Sequence, residues 1–304
     1  MPERSHLLRQ RLDRLTRALR DDGDTRTLHR ARIASRRLRE LLPLLELHPD
    51  RTKKLGRRLR KVTRRLGTVR ELDVLMLLID ELHVSRRRHS AALSQVGVAV
   101  SKQRDQARKR LFARDPAGAL RRVAKRLGRV ADDLQEQTQP RGRGPRVWRW
   151  AVDARVASRA DRLRTAIDEA GTVYLPERLH AVRLALKKLR YALELSTELT
   201  TAKSASRKTQ PDLRILKRGQ DILGRMHDLQ TLIARVREVQ ASVSPPNVTV
   251  WHELDVLVAA LDDDCRRLHA RYMRARSSLV AIAEKLSARR KGQTAASHSA
   301  QQVG

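Results

Sequence analysis

The chain has 304 residues, with 67 Lys and Arg against 34 Asp and Glu, a net charge of +33. Hydrophobic residues at 40% supply a core, which excludes a merely disordered basic tail, and aromatic residues at 2% leave almost nothing on which nucleic-acid modules stack bases. The single Cys265 excludes an intrachain disulfide and a cysteine-built zinc site, and fits a reducing compartment.

In chain order, nearly everything reads as helix. The opening "MPERSHLLRQRLDRL" is charged and lacks the apolar centre of a signal peptide. Leucine periodicity predicts helices near 4–20, 25–47, 51–66, 69–83, 86–113 and 117–137. "QTQPRGRGPR", residues 137 to 146, breaks the pattern with Gly and Pro and reads as a linker, leading into a helix with Trp148 or Trp150 in its core. Helices resume near 147–169, 176–199, 207–223, 225–241 and 248–287. The tail 289–304 is polar and is expected to be disordered. Strand alternation is rare and no apolar run is long enough to span a membrane, so the expected class is all-α.

The two halves match each other. Aligning His29 with His180 sets Arg32 against Arg183, Arg36 against Lys187, Arg37 against Lys188 and Arg39 against Arg190. Leu28, Leu38 and Leu42 meet Leu179, Leu189 and Leu193, and downstream Gly67 meets Gly224. The period, about 150 residues, is far too long for a solenoid and reads as one helical bundle repeated, 1–140 and 141–288.

At about 100° per residue from His29, Arg32, Arg36 and Arg39 fall near 300°, 340° and 280°, while Ala31, Ala34, Leu38, Leu41 and Leu42 lie opposite. Arg37 flanks this stripe near 80°. The second copy repeats it with His180, Arg183, Lys187 and Arg190, flanked by Lys188. Like charges at i,i+3 and i,i+4 cost a helix about 0.2–0.5 kcal/mol a pair. Only Glu40 and Glu194 stand near enough to offset them. The stripe runs about 15 Å, a length suited to a chain of phosphates gripped by guanidinium groups. The next helix repeats the design: Arg57, Arg60, Lys61 and Arg64 lie opposite a seam of Leu55, Leu59, Val62 and Leu66, and Arg214, Lys217 and Arg218 occupy matching positions. Antiparallel packing would bring both basic faces to one groove.

The histidines read as phosphate donors near neutral pH, or as helix-start or interhelix hydrogen bonds. No metal site is expected, because the neighbours are cations and no ligand pairing is present. The acids after Gly67 and Gly224 suit helix N-termini, and "DDDC", residues 262 to 265, reads as a solvated acidic face.

These segments resemble the CHAD domain, the conserved histidine α-helical domain, whose hallmark reads approximately H-x-x-R-x-x-x-[RK]-[RK]-L-R twice. "LGTVRELDVL" is similar to the family's LG-x-x-RD-x-DV, and "LGRMHDLQTL" departs from it at His227 and Gln230. The resemblance implies two pseudo-symmetric antiparallel four-helix bundles that bind inorganic polyphosphate on basic surfaces, with a cytoplasmic place at polyphosphate granules. Some relatives carry a fused triphosphate tunnel domain with hydrolase chemistry. No segment here has the acidic strands of that barrel, and neither a P-loop nor paired carboxylates offer a Mg²⁺ site. The expectation is therefore a non-catalytic binding module without cofactor, with a sequence-nonspecific nucleic-acid binder as the alternative that charge alone permits.

Overall fold

A computed structural model of the chain describes residues 4–18, 25–86, 89–136, 145–199, 203–243 and 247–301. Among them are nine α-helices, one short 3-10 helix and no strand, so the all-α class holds. In order they are α1 (Arg4–Arg17), α2 (Thr25–Leu41), the 3-10 turn (Leu42–Leu44), α3 (Pro49–Ser85), α4 (Ser90–Phe112), α5 (Pro116–Glu136), α6 (Pro145–Ala170), α7 (Pro176–Leu199), α8 (Lys203–Ser242) and α9 (Val248–Gln301). Most of the linker 137–146, the expected core role of Trp148 and residues 302–304 lie outside the described residues or side chains. Trp150 is half exposed, so it does not anchor a core as expected.

Two expected breaks are absent. α3 runs unbroken through Gly67, and α8 through Gly224. In α3 the buried Leu59, Val62, Leu66, Val69 and Leu72 keep helical spacing across the glycine. In α8 Leu216, Leu223, Met226 and Leu229 do the same. A lone glycine costs a helix only about 1 kcal/mol, less than exposing either seam would. The acids after each glycine therefore sit within helices rather than at their starts. The true start of α3 is built by His48, whose Nδ1 accepts the Asp50 N–H at 3.4 Å, with Pro49 in the first turn. α9 continues to Gln301, taking in most of the segment expected to be disordered; no proline follows to stop it.

The chain divides into two compact units, each drawn from two stretches of sequence: 2–142 with 231–262, and 143–230 with 263–304. In the first, α1 packs on α2 and α5, and α3 packs on α2, α4 and α5. In the second, α6 packs on α7, and α7 pairs with α8 through Arg190 and Gln220. The Lys285 Nζ donates to both Asp212 oxygens at 3.0 Å, tying α9 to α8. A side chain at Gly219 would come within 3.1 Å of Leu186 and Leu279, so this bare position lets α7 and α9 close on α8.

Candidate anion-binding faces

In the first unit α2 and α3 run antiparallel, their register fixed at three points. The Arg32 guanidinium lies over Gly67, where a Cβ would stand 3.6 Å from Nη2. The Ser35 and Thr63 hydroxyls are 2.9 Å apart. Beyond them Arg39 meets Arg60. Arg39 is held below the usual arginine range by its own burial first, then by Arg60 and by Arg36, with only Glu40 acting in its favour. His29, Arg32, Arg36 and Arg39 are all half-buried, whereas Arg57, Arg60, Lys61 and Arg64 stand exposed along α3. The expected shared border of two basic faces is thus present here, with Arg39 and Arg60 at its centre.

Arg37 leaves this face. It lines a cleft of about 420 Å³ between α1 and α2 with Arg11, Arg14, Arg17 and Arg30. Its counterpart Lys188 does the same, lining a cleft of about 200 Å³ with Arg159 and Arg162 between α6 and α7. Both flanking cations belong to shoulders of the stripe, turned toward the preceding helix.

The second unit is arranged differently. His180 and His227 bring their Nδ1 atoms to 3.3 Å, with ring centroids 4.7 Å apart. Both rings are pushed toward the neutral form, chiefly by burial and then by Arg183, with Lys187 adding to the effect. His227 drops to about 4. Arg190 is satisfied within the protein: its Nε donates to Gln220 Oε1 at 2.9 Å, its Nη1 to Glu194 at 2.6 Å, and the guanidinium lies 5.2 Å from the Tyr191 ring. Arg214, Lys217 and Arg218 do not join the α7 stripe as expected. They line a cleft of about 440 Å³ between α8 and α9 with Arg225 and Arg271, where Lys217 pairs with Asp221 at 2.8 Å.

Sequence reasoning missed His227, and its signal was a mismatch, the histidine standing where the first copy has Arg70. Gln230, the second departure, donates to the Tyr174 hydroxyl at 2.9 Å, while its counterpart Asp73 is buried. The "DDDC" acids are not a bare acidic face: Asp262 pairs with Arg237 at 3.9 Å, Asp263 with Arg266 at 3.0 Å, and Asp264 with Arg267. Among the described residues no three or more His, Cys, Asp or Glu come together as a metal site would need, and no helix is long and apolar enough to cross a membrane.

A model of the CHAD domain matches residues 6–237. The chain belongs to the CHAD domain family. Two solved structures share its fold. One is described as the crystal structure of the CHAD domain from the plant Ricinus communis; it is 22% identical, with a TM-score of 0.60, over 88% of this chain and 90% of that one. The other is PptA from Streptomyces chartreusis, 19% identical with a TM-score of 0.60, over 90% of this chain and 99% of that one. No curated protein matches the CHAD-domain chain described here.

Proposed function

We propose that this CHAD-domain protein binds inorganic polyphosphate without transforming it, through the cationic face of α2–α3 and the stripe of α7, and that it does so at polyphosphate granules. The observation that carries the reading is the crowding of Arg36, Arg39 and Arg60, with Arg39 disfavoured as a cation by burial and by its like-charged neighbours. A fold does not gain stability from such an arrangement, and perturbed charges gathered on a face are a mark of a ligand site. A polyanion laid along the face supplies the missing counter-charge, and guanidinium groups bind its oxygens in pairs.

The test replaces Arg36, Arg39, Arg60 and Lys187 by Glu together. Retention on immobilised polyphosphate is expected to fall at least about 100-fold at fixed salt while the helical circular dichroism signal persists. Undiminished retention by the folded variant would remove these residues from the site. Excess duplex DNA is expected to displace polyphosphate poorly; efficient displacement would favour the nucleic-acid reading. Incubation with polyphosphate and Mg²⁺ is expected to release no orthophosphate, and release would make the protein an enzyme.

A further inference from the structure

The clefts lined by Arg37 and by Lys188 occupy matching places in the repeat and differ in chemistry. At the spacing that sets His29 against His180, Arg11, Ile33, Ala34 and Arg37 of the first cleft meet Arg162, Leu184, Ala185 and Lys188 of the second. The other three arginines of the first cleft, Arg14, Arg17 and Arg30, meet Thr165, Asp168 and Ala181. The second unit packs α6 on α7 without those charges, so closing this pair of helices does not require them. In the first unit they add to an arrangement that is already costly. Arg11, Arg14 and Arg17 follow one another at i,i+3 along α1, where like charges repel, and Arg11 is buried. Among the described residues no acid lines the cleft.

We infer that the cleft between α1 and α2 is a second anion site, separate from the α2–α3 face, and that its ligand is a nucleotide. This goes beyond the polyphosphate reading and does not depend on it. The volume, about 420 Å³, is that of a small-molecule site, whereas the matching cleft of about 200 Å³ in the second unit is too small for one. The lining offers two chemistries at once. Its five guanidinium groups suit phosphate oxygens, which they bind in pairs, and a guanidinium plane also accepts a stacked base. Ala18, Ile33 and Ala34 give the rest of the lining an apolar character that shelters a planar organic body. Inorganic polyphosphate has no such body and leaves that part of the cleft unused. A short phosphate chain with an organic end uses all of it.

The experiment uses the full chain, with metal-free ATP as the probe and tripolyphosphate as its inorganic counterpart, at about 0.15 M salt. Calorimetry is expected to find one ATP per chain, bound at least about tenfold more tightly than tripolyphosphate. Charge alone would make tripolyphosphate the equal or better ligand, and that result would overturn the inference. Arg17→Asp combined with Arg30→Ala gives the cleft the second unit's residues at two exposed positions. This variant should lose at least about tenfold in ATP affinity, while its retention on long immobilised polyphosphate changes by no more than about threefold. Ile33→Gln is the second probe, expected to weaken ATP and leave tripolyphosphate unchanged. ATP affinity unmoved in both variants would place the nucleotide elsewhere and overturn the inference, as would two ATP per chain. Polyphosphate retention by wild type without ATP binding would overturn this inference alone. ATP binding without polyphosphate retention would overturn the polyphosphate reading and leave this one standing.

Discussion

Arg39 shows what the face costs at the scale of one residue. It is half-buried, repelled by Arg60 and Arg36, and helped only by Glu40. Replacing Arg39 by Gln should therefore raise the melting temperature, gaining up to about 0.5 kcal/mol for each like-charged contact relieved, while polyphosphate retention falls. A fall in both would make Arg39 a structural residue instead. His227 has the opposite relation to pH. Its folded pKa lies at about 4, below the 6.5 of an unperturbed imidazole, because burial and then Arg183 disfavour the charged form. The unfolded chain then binds more protons between those values, so its contribution to stability is full above about 6.5 and is lost as pH falls toward 4. Thermal melts through that window should show the loss, and His227→Gln should reduce it. The stripe residues His29, Arg32, Arg36 and Arg39 were legible because their spacing recurs at His180, Arg183, Lys187 and Arg190. Arg37 and Lys188 were not, since a wheel angle says how far a side chain turns but not which helix waits there.

Among the elements, the glycines of α8 make a paired test. A Cβ at Gly224 meets nothing within 4 Å, so Gly224→Ala should stabilise by about 0.5–1 kcal/mol through helix propensity alone. A Cβ at Gly219 would stand 3.1 Å from Leu186 and Leu279, both essentially inaccessible, so Gly219→Ala should forfeit that gain or reverse it. Urea unfolding midpoints moving the same way in both variants would contradict the packing described. Helix positions were readable from leucine spacing almost throughout. The internal breaks at Gly67 and Gly224 were misread because a glycine followed by an acid imitates a helix start, whereas the seam residues on either side never change phase. The contact between α2 and α3 at Arg39 and Arg60 followed from antiparallel packing of two basic faces. The turn of Arg214 and Arg218 toward α9 did not, because nothing in α8 itself announces Leu268 and Arg271 of the following helix as neighbours.

For the whole molecule, the all-α class was legible from missing strand signals, and a charge of +33 pointed to a polyanionic ligand from the outset. Binding should weaken linearly on a plot of log affinity against log salt, and reversing Arg36, Arg39, Arg60 and Lys187 should flatten that line as well as lower it. A slope unchanged by the reversal would mean these four neutralise no phosphates. What sequence could not supply was the grouping of the chain in space. The expected halves, 1–140 and 141–288, are continuous, whereas the compact units borrow from both ends: residues 231–262 belong with 2–142. That loan has a practical consequence for dissection. A fragment ending at the linker would lack Leu232, Val236, Leu254, Leu257 and Leu261, each buried in the intact chain. It would surrender part of its oily interior to water, and gel filtration should find it swollen or aggregated. Neither half of this gene is a portable module, and any separation of the two cationic faces must be made by point substitution rather than by scissors.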